Sequence, residues 1–132
     1  MSAVGEWSEE HGVDVTTEQI VDYARATGED VLRFEQDGVA PPMFAVIYAA
    51  PAVWRTVLGC LRGEGPVIHA AQELEWFAPV RAGDRIATRA RLDHEAVDGG
   101  KRTLRFRSVS HNGGGELVSR GLWTVLVPEG GL

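Results

Sequence analysis

The chemistry open to this chain has to come from a short set of side chains. Glu29 and Asp30 stand side by side after Gly28. Adjacent carboxylates are the raw material of general acid–base work, and in an acidic stretch they are equally two solvated charges. His11, His69, His94 and His111 offer imidazoles. His94 and His111 fall at strand ends, while His69 shares the outward side of an alternating run with Glu73 and Glu75, as a surface or interface residue. Gln72 is the polar member of the inward side of that run. If buried it needs a partner, which is a substrate carbonyl, a pairing subunit or a backbone group. No nucleophile is prepared: Ser108, Ser110 and Ser119 lack an elbow motif, and Cys60 has only Arg62 as a basic neighbour. No spacing suits a metal and no glycine-rich loop suits a phosphate, since Gly113, Gly114 and Gly115 read as a hairpin turn.

The elements that position these residues follow from capping and periodicity. Thr16 and Gln19 have capping-box spacing, with Val15 and Ile20 as a hydrophobic staple, so a helix starts there and ends at Gly28, a left-handed cap. Glu29 to Gly38 reads as an irregular acidic connection. Gly38 to Trp54 contains no charged residue over 17 positions. Hydropathy alone would allow a membrane span, but Pro41 and Pro42 suit a helix entry, Pro51 interrupts the middle, and the continuation is polar. A helix apolar on all sides is the central core element of a soluble domain.

From Val67 onward the period becomes two. Ile68, Ala70, Gln72, Leu74 and Trp76 share one face of the first run, and Ile86, Thr88, Ala90 and Leu92 one face of the second. Leu104 and Phe106 mark the third, and Leu117, Trp123, Val125 and Val127 the fourth. Asp98-Gly99-Gly100 signals a hairpin. Long antiparallel strands, apolar on one side and folded around one helix, make an α+β hotdog. Trp54, Trp76 and Trp123 belong to the core or a subunit contact. Residues 1–14, with Trp7, read as a flexible start and 129–132 as a frayed end.

Composition bounds the rest. The 132 residues, 44% hydrophobic and 24% charged, make one ordinary domain, long enough to bury roughly two-thirds of its unfolded surface without a staple. A lone cysteine and an N-terminus without a secretory pattern suit the cytoplasm. The net charge of −6 divides into −9 over residues 1–79 and +3 over 80–132. The basic residues of the second part (Arg85, Arg89, Arg91, Lys101, Arg102, Arg105, Arg107, Arg120) alternate along strands as a solvated face. That is too dispersed for nucleic acid. Arg89, Arg91, Arg105 and Arg107 could also meet a phosphate.

Two stretches carry a family resemblance. Val15 to Gly28, continued by Val39-Ala-Pro-Pro-Met-Phe44, and His69-Ala-Ala-Gln-Glu-Leu-Glu-Trp-Phe-Ala-Pro-Val-Arg-Ala-Gly-Asp84 together resemble the MaoC-like dehydratases, in particular the group whose hotdog lacks the usual catalytic motif. The resemblance implies an acyl thioester of coenzyme A or acyl carrier protein as substrate, with no further cofactor and no metal. It implies reversible hydration of the 2-enoyl bond by a carboxylate and an imidazole flanking one water, and a backbone N–H at a helix start that stabilises the thioester oxygen.

Here the signature departs from the family's Gly-Asp-x-Asn-Pro-x-His. It reads Gly28-Glu29-Asp30-Val31-Leu32-Arg33-Phe34, so phenylalanine replaces the histidine. Pro42 falls where the donating glycine should be, and proline has no N–H. The resemblance therefore implies a non-catalytic, substrate-binding subunit that pairs with a catalytic hotdog, or otherwise with a copy of itself. Pro42, Met43, Phe44, Ile47, Tyr48, Gln72 and Trp76 are the expected substrate-binding residues. Two rivals stay open: a self-sufficient hydratase or acyl-CoA thioesterase using Glu29, and an acyl-binding scaffold without turnover. No membrane partner is expected.

Overall fold

The computed structural model describes residues 5–63 and 66–128. Strand β1 (His11–Asp14) leads into helices α1 (Thr17–Thr27) and α2 (Val31–Asp37), and a 3-10 turn (Pro42–Phe44) opens the long helix α3 (Ala45–Cys60). Strands β2 (Ile68–Trp76), β3 (Arg85–Asp98), β4 (Lys101–His111) and β5 (Leu117–Pro128) follow. All five strands join one antiparallel sheet in the order β1-β3-β4-β5-β2. Helix α3 lies across its inner face, which is the hotdog expected from the alternation.

Local chemistry fixes the boundaries. Thr16 Oγ1 accepts from Gln19 N at 3.1 Å while Thr16 N donates to Gln19 Oε1, also at 3.1 Å, so the capping box is closed at both ends. Gly28 ends α1 at φ 77°, a backbone that side chains avoid. The β3–β4 hairpin turns on Gly99 and Gly100 at φ 60° and 79°, the pair of positive angles that a two-residue turn matched to strand twist requires. Ile86, Leu104, Phe106, Trp123 and Val125 then face Val53, Val57 and Tyr48 of α3 in one buried core. Each large apolar side chain so buried contributes about 1.5–3 kcal/mol. Pro42–Cys60 is long and apolar enough to cross a membrane by length and composition. In this fold it is the helix that the sheet wraps.

The structure corrects five readings. Glu29 to Gly38 is not irregular: Asp30 caps α2, its carboxylate accepting from Arg33 N. Residues 5–14 are not a flexible start, because β1 pairs with β3, Gly5 N and Ser8 N donate to Leu92 O and Ala90 O, and Arg91 covers the Trp7 ring at 4.8 Å. Residues 1–4 and the expected frayed end, 129–132, lie outside the described residues. Pro51 does not interrupt α3, which runs through it with the proline on the exposed side. Arg102 is no solvated charge: it is 1% exposed, tied to Glu95 at 2.9 Å and to Cys60 O at 3.2 Å. It keeps phase with Leu104 and Phe106, and alternation sends it inward with them.

The fifth correction concerns His69. A bulge between His69 and Ala71 inserts one residue into β2, which reverses the alternation on its N-terminal side. His69 therefore shares the inner face with Gln72, Leu74 and Trp76, yet it stays exposed, so the face is corrected and the surface position is as expected. Its ring stacks on Trp123 at 5.8 Å and meets Trp54 edge-on at 5.5 Å.

Candidate functional site

At the start of α3 an apolar cleft of about 460 Å³ opens. Its walls are α2 (Arg33, Phe34), the strap 39–42, Phe44 of the 3-10 turn, the first turns of α3 (Ala45, Tyr48), and the end of β2 with the segment that follows it (76–80). The strap is stitched in place by Ala40 N to Val80 O at 2.8 Å, Ala82 N to Gly38 O at 2.9 Å and the Val39–Arg81 bridge. Trp76 Nε1 donates to Pro42 O at 2.7 Å, closing one side of the cleft. Tyr23 of α1 backs Phe44 edge-to-face at 5.6 Å.

Of the residues singled out in the sequence, Pro42, Phe44, Tyr48 and Trp76 line this cleft. Met43 and Ile47 do not: they are 43% and 40% exposed and, with Leu58, form an outward apolar stripe along α3. Gln72 is half-buried on the inner face of β2, away from the cleft. Glu29 is exposed and outside it, near Tyr23, whose phenol is pushed up first by burial and then by the Glu29 charge. Asp30 is engaged as the α2 cap. The carboxylate pair therefore does not converge on the cleft.

The polar inventory of the cleft is small. None of the four histidines lines it, and position 34 contributes a phenyl ring. At the helix start Pro41 and Pro42 have no N–H, and the Phe44 amide is turned back onto Pro41 O at 2.9 Å. Lining side chains with hydrogen-bond donors are Arg33, Trp76 and Tyr48. Arg33 is exposed and lies over the Phe34 ring at 5.4 Å. Tyr48 is 1% exposed, with its hydroxyl 2.8 Å from Ser119 Oγ. Burial raises the phenol pKa, an effect the Ser119 bond partly offsets, so the group stays protonated in neutral water. The site can hold an elongated apolar group. Among the described residues no imidazole or carboxylate lines it.

Sequence reasoning passed over Arg33, Phe77 and Ser119. The signal for Ser119 was present, since it keeps the phase of Trp123, Val125 and Val127 and so points inward beside Tyr48. Among the described residues no group of three or more His, Cys, Asp or Glu side chains could hold a metal ion.

The remaining identification comes from likeness to known proteins. The family model described as FAS1-like, dehydratase domain region matches residues 2–119. No curated protein matches the chain. The C-terminally truncated HadBC (3R-hydroxyacyl-ACP dehydratase) complex of Mycobacterium tuberculosis has a similar structure, with a TM-score of 0.78 at 22% identity over 96% of this chain and 98% of that one. A MaoC-like dehydratase reaches a TM-score of 0.79 at 22% identity, where 96% of this chain covers 42% of a longer one. The fluoroacetyl-CoA thioesterase FlK gives 0.72 at 21% identity, over 95% of this chain and 87% of that one. At such identities the structural likeness speaks for the fold, and both hydratases and a hydrolase share it. The family match spans most of the chain and agrees with the architecture: this protein belongs to the FAS1-like dehydratase-region family, with the hotdog of the MaoC-like dehydratases.

Proposed function

We propose that the chain is the acyl-thioester-binding, non-catalytic subunit of a heteromeric enoyl-thioester hydratase, or 3-hydroxyacyl-thioester dehydratase, whose partner hotdog supplies the proton-transfer groups. One observation carries the reading: Phe34 and Pro42 line the same cleft, so the imidazole and the helix-start N–H that hydration needs are missing from one place. Losing a single donor to the developing oxyanion costs about a hundredfold in rate or more. The loss of the proton carrier falls on the same cleft.

Two features support a partner. β2 is an edge strand bonded only to β5, and Met43, Ile47 and Leu58 are exposed apolar side chains on the helical segment 42–60. An unpaired edge and exposed apolar surface are what association covers. HadBC, similar in fold, is itself a complex. Glu29, exposed and away from the cleft, gives the self-sufficient hydratase and hydrolase readings no carboxylate to work with.

The purified chain, assayed alone with crotonyl-CoA, is expected to add no water above background. It should gain hydration only when mixed with a hotdog chain that retains the aspartate and histidine. Robust turnover by the isolated chain, lost on Glu29→Gln, would overturn the proposal. A mixture in which the chain binds substrate but never alters the partner's turnover would leave only the scaffold.

A further inference from the structure

Tyr48 lines the cleft, and its hydroxyl belongs to a pair that carries more protons than the one contact between them uses. Tyr48 and Ser119 present two hydroxyl protons but share one contact of 2.8 Å. Either atom can be its donor, and among the described residues neither oxygen makes a second hydrogen bond. The neighbouring pair shows the closed form: Thr88 and Ser110 hydroxyls meet at 2.8 Å, and Thr88 Oγ1 also reaches Tyr48 O at 3.4 Å. Ser108, which accepts from Trp123 Nε1 at 2.9 Å, does not line the cleft. A buried hydroxyl proton left without an acceptor is a standing cost that a ligand oxygen can remove.

The other donors of the cleft are accounted for. Trp76 Nε1 is held by Pro42 O, and Arg33 stands at the exposed rim, where a carbonyl gains little over water. Pro42 has taken the amide from the helix start. Tyr48, six residues further along the same wall, is the donor that remains in a water-poor position.

We propose that the Tyr48–Ser119 pair is the oxygen-recognition element of this subunit, the phenol donating a hydrogen bond to the carbonyl oxygen of an acyl thioester in the cleft while Ser119 donates to the phenol oxygen. The proposal rests on the reading of the cleft as an acyl-thioester site. It adds that the cleft selects a thioester over an equally long chain lacking the carbonyl. The role is binding, and no bond is made or broken.

Hexanoyl-CoA and S-hexyl-CoA, its thioether without the carbonyl oxygen, separate the two ideas by calorimetric titration of the full chain. The wild type should bind hexanoyl-CoA about five- to tenfold more tightly, the value of one buried hydrogen bond. Tyr48→Phe should erase that preference, bringing hexanoyl-CoA affinity down to that for S-hexyl-CoA. Ser119→Ala, which keeps the phenol proton, should retain it. Equal wild-type affinity for both probes, or a preference that survives Tyr48→Phe, overturns the recognition role and leaves the acyl site standing. No binding of either probe overturns both.

Discussion

The two ends of α3 are made of different materials. At its N-terminal end the helix starts from two prolines, touches rings and short aliphatic side chains, and borders a cleft of about 460 Å³. At its C-terminal end Cys60 is buried, and its carbonyl is gripped by Arg102, which Glu95 neutralises through contacts of 3.0 and 2.9 Å. The first end exposes hydrogen-bonding capacity and leaves space. The second spends its capacity inside the protein. A helix anchored at one end and open at the other positions a cavity without filling it, because the anchor supplies stability that the open end does not.

That contrast can be broken by mutation, and the anchored end should respond most. Arg102→Ala removes the buried partner of Glu95 and the donor to Cys60 O, leaving Glu95 only the more exposed Arg62 at 3.3 Å, and is expected to lower unfolding free energy by about 3 kcal/mol in urea titrations. The double change Arg102→Met with Glu95→Gln should cost clearly less; equal losses would show that packing, not the pair, holds this end. At the open end Trp76→Phe removes the donor to Pro42 O and should cost about 1 kcal/mol, visible in the same titration.

Thr16→Ala opens the cap of α1, whose Tyr23 backs Phe44. It should also cost about 1 kcal/mol, with a fall in acyl-CoA affinity if α1 steadies the cleft. The smallest effect belongs to Glu75 on the outer face of β2, opposite Arg120. Its carboxyl lies below the ordinary value near 4.5, first because Arg120 donates to it. The stabilisation is therefore present above that ordinary value and lost as pH falls through the lower folded one. On so exposed a pair, Glu75→Gln should lower the neutral-pH melting temperature only marginally and flatten the acid limb of the stability curve by the same small amount.

Much of this was legible before any coordinates. The capping box at Thr16, the glycine cap at Gly28 and the Gly99-Gly100 hairpin are local instructions that no distant contact revises. The inward parity of Leu104 and Phe106 also held, and applied strictly it would have placed Arg102 and Ser119 inside. The charge of Arg102 argues for the surface against its phase, and the acidic neighbours of Val31–Asp37 mask its helix. The exposure of Met43 and Ile47 was not legible, because an all-apolar helix gives no sign of which side the sheet will leave bare.

By itself the sequence determined what is covalent or local: where helices begin and end, which strand faces are apolar, that position 34 has no imidazole and that position 42 has no N–H. Tertiary structure alone decided the bulge that turns His69 inward, the grip of Arg102 on the end of α3, and the meeting of Tyr48 with Ser119 across 71 positions. Such contacts depend on strand register, and register is settled only when the sheet closes over its helix.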